Sequence, residues 1–146
     1  MDIAKQAKQT REASTGWYIQ RLAGRLDAMM TDALKPHDMN LAQFPIMMTA
    51  LEFDGLTQAD YAKRFRMPAY AISRAVDALV DKGLLERRPD MKSRRAHNIH
   101  VTQAGRALAP ALFDIIEQVN GKLLQALDGD EANHLRQSLG KILNAS

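Results

Sequence analysis

Basic side chains are concentrated in one short segment of this chain. The run from position 87 to position 95, R-R-P-D-M-K-S-R-R, holds five cations and a single carboxylate. The cations are Arg87, Arg88, Lys92, Arg94 and Arg95. So many like charges on a short segment repel one another unless a polyanion binds them, and guanidinium groups pair readily with phosphate. The segment therefore predicts contact with a phosphate backbone.

The sequence just before this segment predicts a helix with two different faces. The apolar face repeats at helical spacing and comprises Ile72, Ala75, Val76, Leu79 and Val80. The opposite face carries Tyr70, Ser73, Arg74 and Asp77 at the same spacing. A helix fits the major groove of B-DNA, where Arg74 can contact either a guanine or a phosphate. We expect Asp77 to orient Arg74 from the next turn of the same helix.

An ordinary solvated helix face has the same pattern, so the neighbouring elements decide the interpretation. A shorter helix precedes this one, with Thr57 as its cap and Asp60 at the third helical position, and ends near Arg66. Two predicted strands, residues 84–88 and 96–101, follow it and are joined by the turn P-D-M-K-S. Two helices followed by a basic hairpin are typical of a winged helix-turn-helix. That motif places its second helix in the major groove and its hairpin, the wing, in the minor groove.

The charge distribution agrees with a one-sided basic surface. The 146 residues include 20 Lys and Arg and 17 Asp and Glu, for a net charge of +3. Eleven of the basic residues and four of the acidic ones lie between Lys63 and Arg106, which leaves nine basic and thirteen acidic residues elsewhere. A local basic patch on a mildly acidic protein is typical of a module that binds nucleic acid with one face.

Several functional classes are excluded or disfavoured by what the sequence lacks. It has no cysteine, which rules out disulfides, a thiolate nucleophile and a cysteine-ligated zinc site. It has no Gly-rich phosphate loop, G-x-S-x-G or H-E-x-x-H motif, and its four histidines do not have metal-ligand spacing. We therefore predict neither an enzyme nor a bound metal or cofactor. No apolar run approaches the roughly 20 residues that cross a bilayer, and the N-terminus does not resemble a signal peptide, so we expect a cytoplasmic protein that does not bind membranes.

Apolar seams flank the predicted DNA-binding segment on both sides. Residues 14–34 predict one helix, Thr102 caps a second, and Asp128 caps a third, each with a stripe of large apolar side chains. A further helix begins at Asn40 or at Pro45. The seams exceed what a core of this size can cover, and burying a Leu or Met stabilises by about 1.5–3 kcal/mol. We therefore expect a second copy of the chain to cover them.

The predicted fold is mainly α-helical with a small β-hairpin wing. We expect residues 1–38 and 103–146 to supply dimerisation helices and residues 39–102 to form a winged helix-turn-helix DNA-binding lobe, all within one intertwined domain. A two-fold homodimer presents its two recognition helices one turn of DNA apart, about 34 Å. This symmetry predicts a pseudo-palindromic site in double-stranded DNA.

Three stretches of the sequence resemble the MarR family of bacterial transcription regulators. They are L-T-Q-A-D-Y-A from Leu56, I-S-R-A-V-D-A-L-V-D-K-G-L-L-E-R from Ile72, and S-R-R-A-H-N-I-H-V-T-Q-A-G-R from Ser93. The flanking helices fit the architecture of that family over nearly the whole length. The resemblance implies an obligate homodimer with a triangular helical body and two wings, a palindromic operator, and release of DNA by a small phenolic or other aromatic ligand.

The resemblance also assigns roles to particular residues of this chain. It places the recognition-helix contacts at Ser73 and Arg74, with Tyr70 nearby. It places the arginine that enters the minor groove at Arg95, with Arg94 beside it.

Two positions depart from the family pattern. Ser93 stands where the family usually has an aspartate that aims the wing arginine, so we expect Asp90 to take that role for Arg95. Pro68 stands where the family often has a Ser or Thr cap on the recognition helix. A proline fixes the entry angle of the helix but offers no side-chain acceptor.

The resemblance implies a ligand cleft, and five aromatic and methionine side chains lie where that cleft forms in the family. These are Trp17, Tyr18, Phe44, Met47 and Met48. Methionines and aromatic rings make an adaptable pocket for a flat ligand, although plain core packing explains each of them separately as well. We therefore predict a homodimeric, sequence-specific DNA-binding regulator that acts as a repressor and is released by a small aromatic ligand. The alternative is a winged-helix module that binds a protein partner and no operator.

Overall fold

The computed structural model of the chain describes residues 2–145, apart from the side chain of Arg94. This part is mainly α-helical with a small antiparallel sheet, which confirms the predicted fold class. In chain order the elements are α1 (Ile3–Glu12), α2 (Thr15–Leu34), a 3₁₀ turn (Lys35–His37), α3 (Gln43–Glu52), β1 (Leu56–Thr57), α4 (Gln58–Phe65), α5 (Ala69–Asp81), β2 (Leu85–Asp90), β3 (Ser93–Val101), α6 (Gln103–Leu123) and α7 (Gly129–Asn144).

The described residues divide into two compact units. The central unit is Met30–Ile115, and the terminal unit comprises the described residues up to Met29 and from Ile116 onward. The central unit includes the whole of the predicted DNA-binding lobe, residues 39–102. The role of the flanking segments in dimerisation stays a prediction.

The core of the central unit is built around α5. Four residues of its predicted apolar stripe are buried, Ala75 together with the fully enclosed Ile72, Val76 and Leu79, whereas Val80 is half-buried. The helix packs against α3, α4 and β2. Fully buried side chains from the other elements complete this core, among them Met47 of α3, Tyr61 of α4, Leu85 of β2 and Ile99 of β3.

A local capping box sets the start of α4, and a similar exchange of hydrogen bonds lies ahead of α3. Thr57 Oγ1 accepts a hydrogen bond from Asp60 N at 3.2 Å, and Asp60 Oδ2 accepts one from Thr57 N at 3.0 Å, as the sequence predicts for α4. Asn40 and Gln43 make the same exchange ahead of α3, but the helix itself begins at Gln43. Pro45 therefore lies in the first turn, where its missing N–H has no helical acceptor to lose.

The turn between α4 and α5 has a strained backbone. Arg66 follows α4 with a φ of 52°, in the left-handed region, which costs a residue with a side chain about 1–2 kcal/mol. Pro68 then precedes α5 with a φ of −65° and forms no side-chain cap. Its backbone carbonyl instead accepts a hydrogen bond from Ala71 N at 3.1 Å.

The sheet has three antiparallel strands in the order β1, β3, β2. The wing hairpin pairs from Leu85 with Val101 as far as Asp90 with Ser93, with one irregularity next to Pro89. The wing strands are therefore longer, and their turn shorter, than the sequence predicts. Pairing can continue past Pro89 because β2 is an edge strand. An edge strand has a neighbour on one side only, so the N–H that proline lacks can face away from the sheet.

The sequence does not predict two of the observed elements. One is β1, whose residues Leu56 and Thr57 pair with Ile99 and Asn98 of β3. A two-residue strand has no periodicity of its own, so its existence depends on a partner that is distant in sequence. The other is α1, which buries no residue and begins where Asp2 Oδ1 accepts a hydrogen bond from Ala4 N at 3.0 Å.

The terminal unit leaves large apolar side chains uncovered in the single chain. These exposed residues of α2 and α7 include Ile19, Leu22, Leu139 and Ile142. Ile142 is 62% exposed. The start of α7 is well defined, because Asp128 and Glu131 form the predicted capping box.

Close approach of α6 to the sheet depends on Gly105. A Cβ atom at this position would meet the backbone oxygen of Leu84 and would lie 2.7 Å from Val101 Cγ1 and 3.1 Å from Met47 Cε. A backbone oxygen cannot swing aside as a flexible side chain can. The first turn of α6 can therefore lie this close to Leu84 and Val101 because this residue has no side chain.

Asp54, in the turn after α3, is bonded to the end of β3. Its Oδ1 accepts from Val101 N at 3.0 Å, and its Oδ2 lies 3.2 Å from His100 Nδ1 and 3.7 Å from Arg106 Nη2. Burial alone would raise the pKa of Asp54. The hydrogen bonds from Val101 and His100, together with the charges of His100 and Arg106, outweigh burial and hold the pKa below its ordinary value of 3.8.

Replacing Gly105 by alanine is expected to destabilise the protein by about 1–3 kcal/mol, because overpacking displaces the backbone. Gly121 lies in the same helix, with nothing within 4 Å of an added Cβ. Gly121→Ala should therefore be neutral or stabilise by up to about 1 kcal/mol. Urea unfolding followed by circular dichroism measures both variants. Equal effects would show that the close approach at Gly105 is not a constraint.

Asp54→Asn should lower the free energy of unfolding at neutral pH, because an uncharged amide interacts more weakly with Val101 N, His100 and Arg106 than the carboxylate does. A carboxyl whose pKa is lower in the folded chain stabilises above its unfolded pKa of about 3.9, and that stability is lost as the pH falls through the folded value. The difference between wild type and variant should therefore shrink as the pH drops below about 4. Unfolding titrations across this range test it, with Asp32→Asn in an exposed ion pair with Lys35 as the control. A difference that persists unchanged in acid would contradict the prediction.

Candidate nucleic-acid interface

The outward face of α5 presents the three polar side chains that are predicted to contact DNA. Tyr70 is 69% exposed, Arg74 is exposed and Ser73 is half-buried. These side chains point outward because Ile72 and Val76, on the opposite face of the helix, are buried in the core. Among the described residues Arg74 has no ion pair, so its guanidinium group is available to a guanine edge or a phosphate.

The wing ends in a tight turn at Met91 and Lys92. Met91 is 98% exposed, and Lys92 and Arg95 are exposed as well. No carboxylate in the described part of the chain pairs with either of these two cations. The predicted contact at Arg94 lies outside the described side chains. The wing tip therefore carries positive charge that the protein itself does not neutralise.

The structure does not bear out the expectation that Asp90 aims Arg95. Asp90 Oδ1 accepts a hydrogen bond from Lys92 N at 3.3 Å and so closes the turn. In the described contacts Asp90 makes no ion pair with Arg95, whose backbone N instead donates to Ser93 Oγ at 3.4 Å. Ser93 thus accepts from the backbone of Arg95, and no carboxylate among the described residues pairs with the Arg95 guanidinium group.

The two cations at the base of the wing are bonded within the protein. Arg87 Nε donates to Gln58 Oε1 at 2.8 Å, and Arg87 Nη2 donates to Asp77 Oδ1 at 2.6 Å. Arg88 Nε donates to Glu86 Oε1, in its own strand, at 2.7 Å. The sequence predicts both arginines as DNA contacts, and the structure adds a carboxylate partner for each.

The predicted role of Asp77 is corrected by this geometry. The sequence places Asp77 on the same helix face as Arg74 and suggests that it orients that side chain. In the structure its carboxylate binds Arg87, which approaches from β2. The spacing of Arg74 and Asp77 can be recognised within one helix, whereas Arg87, the observed partner of Asp77, lies in a different element.

The described residues contain neither a cluster of metal-ligating side chains nor a membrane-spanning helix. No three His, Asp or Glu side chains in this part of the chain come close enough together to hold a metal ion. No helix among the described residues is long and apolar enough to cross a membrane.

Comparison with known proteins shows what this chain is similar to. A model described as the MarR family matches residues 37–96, a range that contains α5 and the tip of the wing. The multiple antibiotic resistance protein MarR of Escherichia coli is 26% identical over 129 residues, which cover 88% of this chain and 90% of that protein. Over residues 37–96 this chain therefore resembles the MarR family.

A second relative and a solved structure also match most of the chain. An HTH-type transcriptional repressor of Mycobacterium bovis is 23% identical over 131 residues, which cover 90% of this chain and 94% of that protein. A mutant of Escherichia coli MarR, solved in complex with operator DNA, has a TM-score of 0.79 at 24% identity and covers 98% of this chain and 99% of its own. This structural likeness shows a shared fold.

The five residues predicted to line a ligand cleft lie in different surroundings. In the terminal unit, Trp17 packs edge-to-face against Tyr18, with ring centroids 5.3 Å apart. In α3 of the central unit, Met47 is fully buried, and Phe44 and Met48 are half-buried. Core packing accounts for the burial of Met47, and a ligand-binding role for the five residues stays a prediction.

Sequence reasoning missed two side chains that position α5. One is Gln58, which accepts the hydrogen bond from Arg87. The other is Lys82, which donates to Gln43 Oε1 at 2.8 Å and to the backbone oxygen of Asp38. Both link elements that are far apart in the chain, so no local spacing could have revealed them.

Proposed function

We propose that this protein is a homodimeric, sequence-specific DNA-binding regulator of transcription that acts as a repressor. The observation that carries the proposal is the position of its uncompensated cations. Arg74 on the exposed face of α5 and Lys92 and Arg95 on the wing have no ion pair among the described residues. The helix and the wing are the two elements with which a winged helix-turn-helix binds DNA, and the similarity of residues 37–96 to the MarR family supports the same function.

In the proposed complex α5 lies in the major groove, where Ser73 and Arg74 meet base edges or phosphates and Tyr70 lies nearby. The wing tip enters the adjacent minor groove through Arg95, because the negative potential of a narrow groove favours an inserted arginine. Lys92, Arg94 and Arg88 contact the flanking phosphates. These phosphate contacts fix the register of the protein, and the α5 contacts supply the sequence preference.

A second copy of the chain completes the proposed regulator. The exposed apolar side chains of α2 and α7 support this step, because covering each one stabilises by about 1.5–3 kcal/mol. A two-fold dimer presents two recognition helices about 34 Å apart and requires a pseudo-palindromic site. The protein acts in the cytoplasm, with the DNA that it binds.

Repression and its relief by a small aromatic ligand are the finer parts of the proposal. A relative named as a transcriptional repressor supports the first. For relief by a ligand, we propose a binding site made of Met and aromatic side chains, because such side chains adapt to flat ligands. These are Trp17, Tyr18, Phe44, Met47 and Met48.

Selection from a pool of random DNA duplexes tests the proposal as a whole. Repeated binding and recovery should enrich one inverted repeat with half-site centres about 10 base pairs apart, which reports DNA binding, symmetry and spacing together. The control is the same selection with a variant that carries Arg74→Ala and Arg95→Ala. If wild type enriches no sequence over the random pool, the protein is not a sequence-specific regulator.

Arg74→Ala and Arg95→Ala should weaken DNA binding in distinguishable ways. Loss of one phosphate contact reduces the slope of log affinity against log salt by about one and weakens all sequences alike. Loss of a base contact costs about 1–3 kcal/mol at one position of the site and relaxes the preference there. Fluorescence anisotropy at several salt concentrations measures both quantities. Arg136→Ala, which removes the same charge from α7, is the matched control, and an equal loss in that variant would argue against a specific interface.

A further inference from the structure

The guanidinium group of Arg87 joins three elements of the central unit. Arg87 lies in β2 at the base of the wing, and its Nε donates to Gln58 Oε1 at 2.8 Å. Its Nη2 donates to Asp77 Oδ1 at 2.6 Å and lies 3.5 Å from the backbone oxygen of Ser73. Arg87 is thereby bonded to the first residue of α4 and to two successive turns of α5.

From this geometry, and resting on the DNA-binding function proposed above, we propose that Arg87 is a positioning residue that fixes α5 relative to the wing. It holds Asp77 in the DNA complex as well as in the free protein. The cation is therefore not one of the phosphate contacts, although the sequence alone groups it with them.

The surroundings of the pair favour this internal role. The Arg87 side chain is 25% exposed, whereas that of its neighbour Arg88 is 57% exposed. A phosphate that approached Arg87 would also approach the carboxylate of Asp77, and these like charges repel. Arginine suits a junction of this kind because its planar group donates hydrogen bonds in several fixed directions, whereas lysine offers a single point charge.

The bonds from Arg87 act on the turn of α5 that carries Arg74. Ser73 and Asp77 lie on either side of Arg74 in this helix, so a bond to each holds the intervening turn against the wing. Base readout requires a fixed geometry, whereas phosphate contacts carry no sequence information directly. Loss of the junction should therefore reduce the preference for the selected site more than it reduces binding to random DNA.

A double-mutant cycle tests this proposal. Affinities for the selected duplex and for a random duplex are measured with wild type, Arg87→Ala, Asp77→Ala and the double variant. We expect each single change to lower the preference for the selected duplex about tenfold, and the double variant to lose no more, because all three remove the same bond. Asp81→Ala is the matched control, since Asp81 is an exposed carboxylate of the same helix without an ion pair in the described residues.

The sign of the Asp77→Ala effect separates positioning from phosphate contact. If Arg87 bound a phosphate, removal of Asp77 would free the cation and remove a repelling charge, so affinity would rise. Arg87→Lys keeps the charge and would keep most of a phosphate contact, but a lysine does not reach α4 and α5 together. Positioning therefore predicts that Arg87→Lys loses as much preference as Arg87→Ala. Tighter binding by Asp77→Ala, or wild-type preference in Arg87→Lys, would overturn the proposal.

Amide hydrogen exchange in the free protein tests the junction without DNA. Arg87→Ala and Asp77→Ala should both speed exchange in β2 and in α5, and Asp81→Ala should not. Wild-type exchange rates in both of the first two variants would overturn the proposal. If wild type prefers no duplex, the proposed regulator function fails, and the exchange rates alone then decide whether Arg87 fixes α5 to the wing.

Discussion

Burial of one face of α5 is the constraint on which the central unit depends. A 13-residue helix is marginal by itself in water, so packing rather than helix propensity makes it stable. Ile72, Val76 and Leu79 are fully enclosed, and each contributes about 1.5–3 kcal/mol by leaving water. Rotation of the helix about its axis would expose them. The direction in which Tyr70 and Arg74 point is therefore set first by the core, and the proposed Arg87 junction then fixes the helix that carries them relative to the wing.

The cations of the wing divide into two groups with different electrostatic environments. Arg87 and Arg88, at the base, are paired with Asp77 and Glu86. The described cations near the tip have no such partner. Pairing at the base removes part of the self-repulsion that the sequence suggests, because two of the clustered charges are compensated inside the protein. The positive potential that remains is concentrated at the tip, where a minor groove would meet it.

The parts of the fold that could be predicted are those that short-range patterns specify. The capping boxes at Thr57 and Asp128 involve residues three apart, and the buried stripe of α5 follows helical spacing. These patterns are sufficient for the helices after α1, for the hairpin and for the exposed face of α5. They locate the candidate interface but not all of its internal bonds.

The parts that could not be predicted join residues that are distant in the sequence. Arg87 and Gln58 are 29 positions apart, and Asp54 and His100 are 46 positions apart. Such pairs depend on how the elements pack. Until the packing is known, nothing in the sequence distinguishes an arginine that bonds within the protein from one that is free to bind DNA. The same reasoning explains why β1 escapes prediction, since two residues specify a strand only when a partner strand lies beside them.

The corner between α4 and α5 places a guanidinium group where glycine would be the easiest residue for the backbone. Arg66 has a positive φ, and glycine adopts that conformation without the steric cost that a side chain brings. The side chain of Arg66 is exposed, so burial of apolar surface does not offset that cost. The helix-turn-helix thus loses a little folding free energy at this bend, and in return it carries a positive charge there. At this one residue, a more positive surface potential is obtained at the cost of backbone strain.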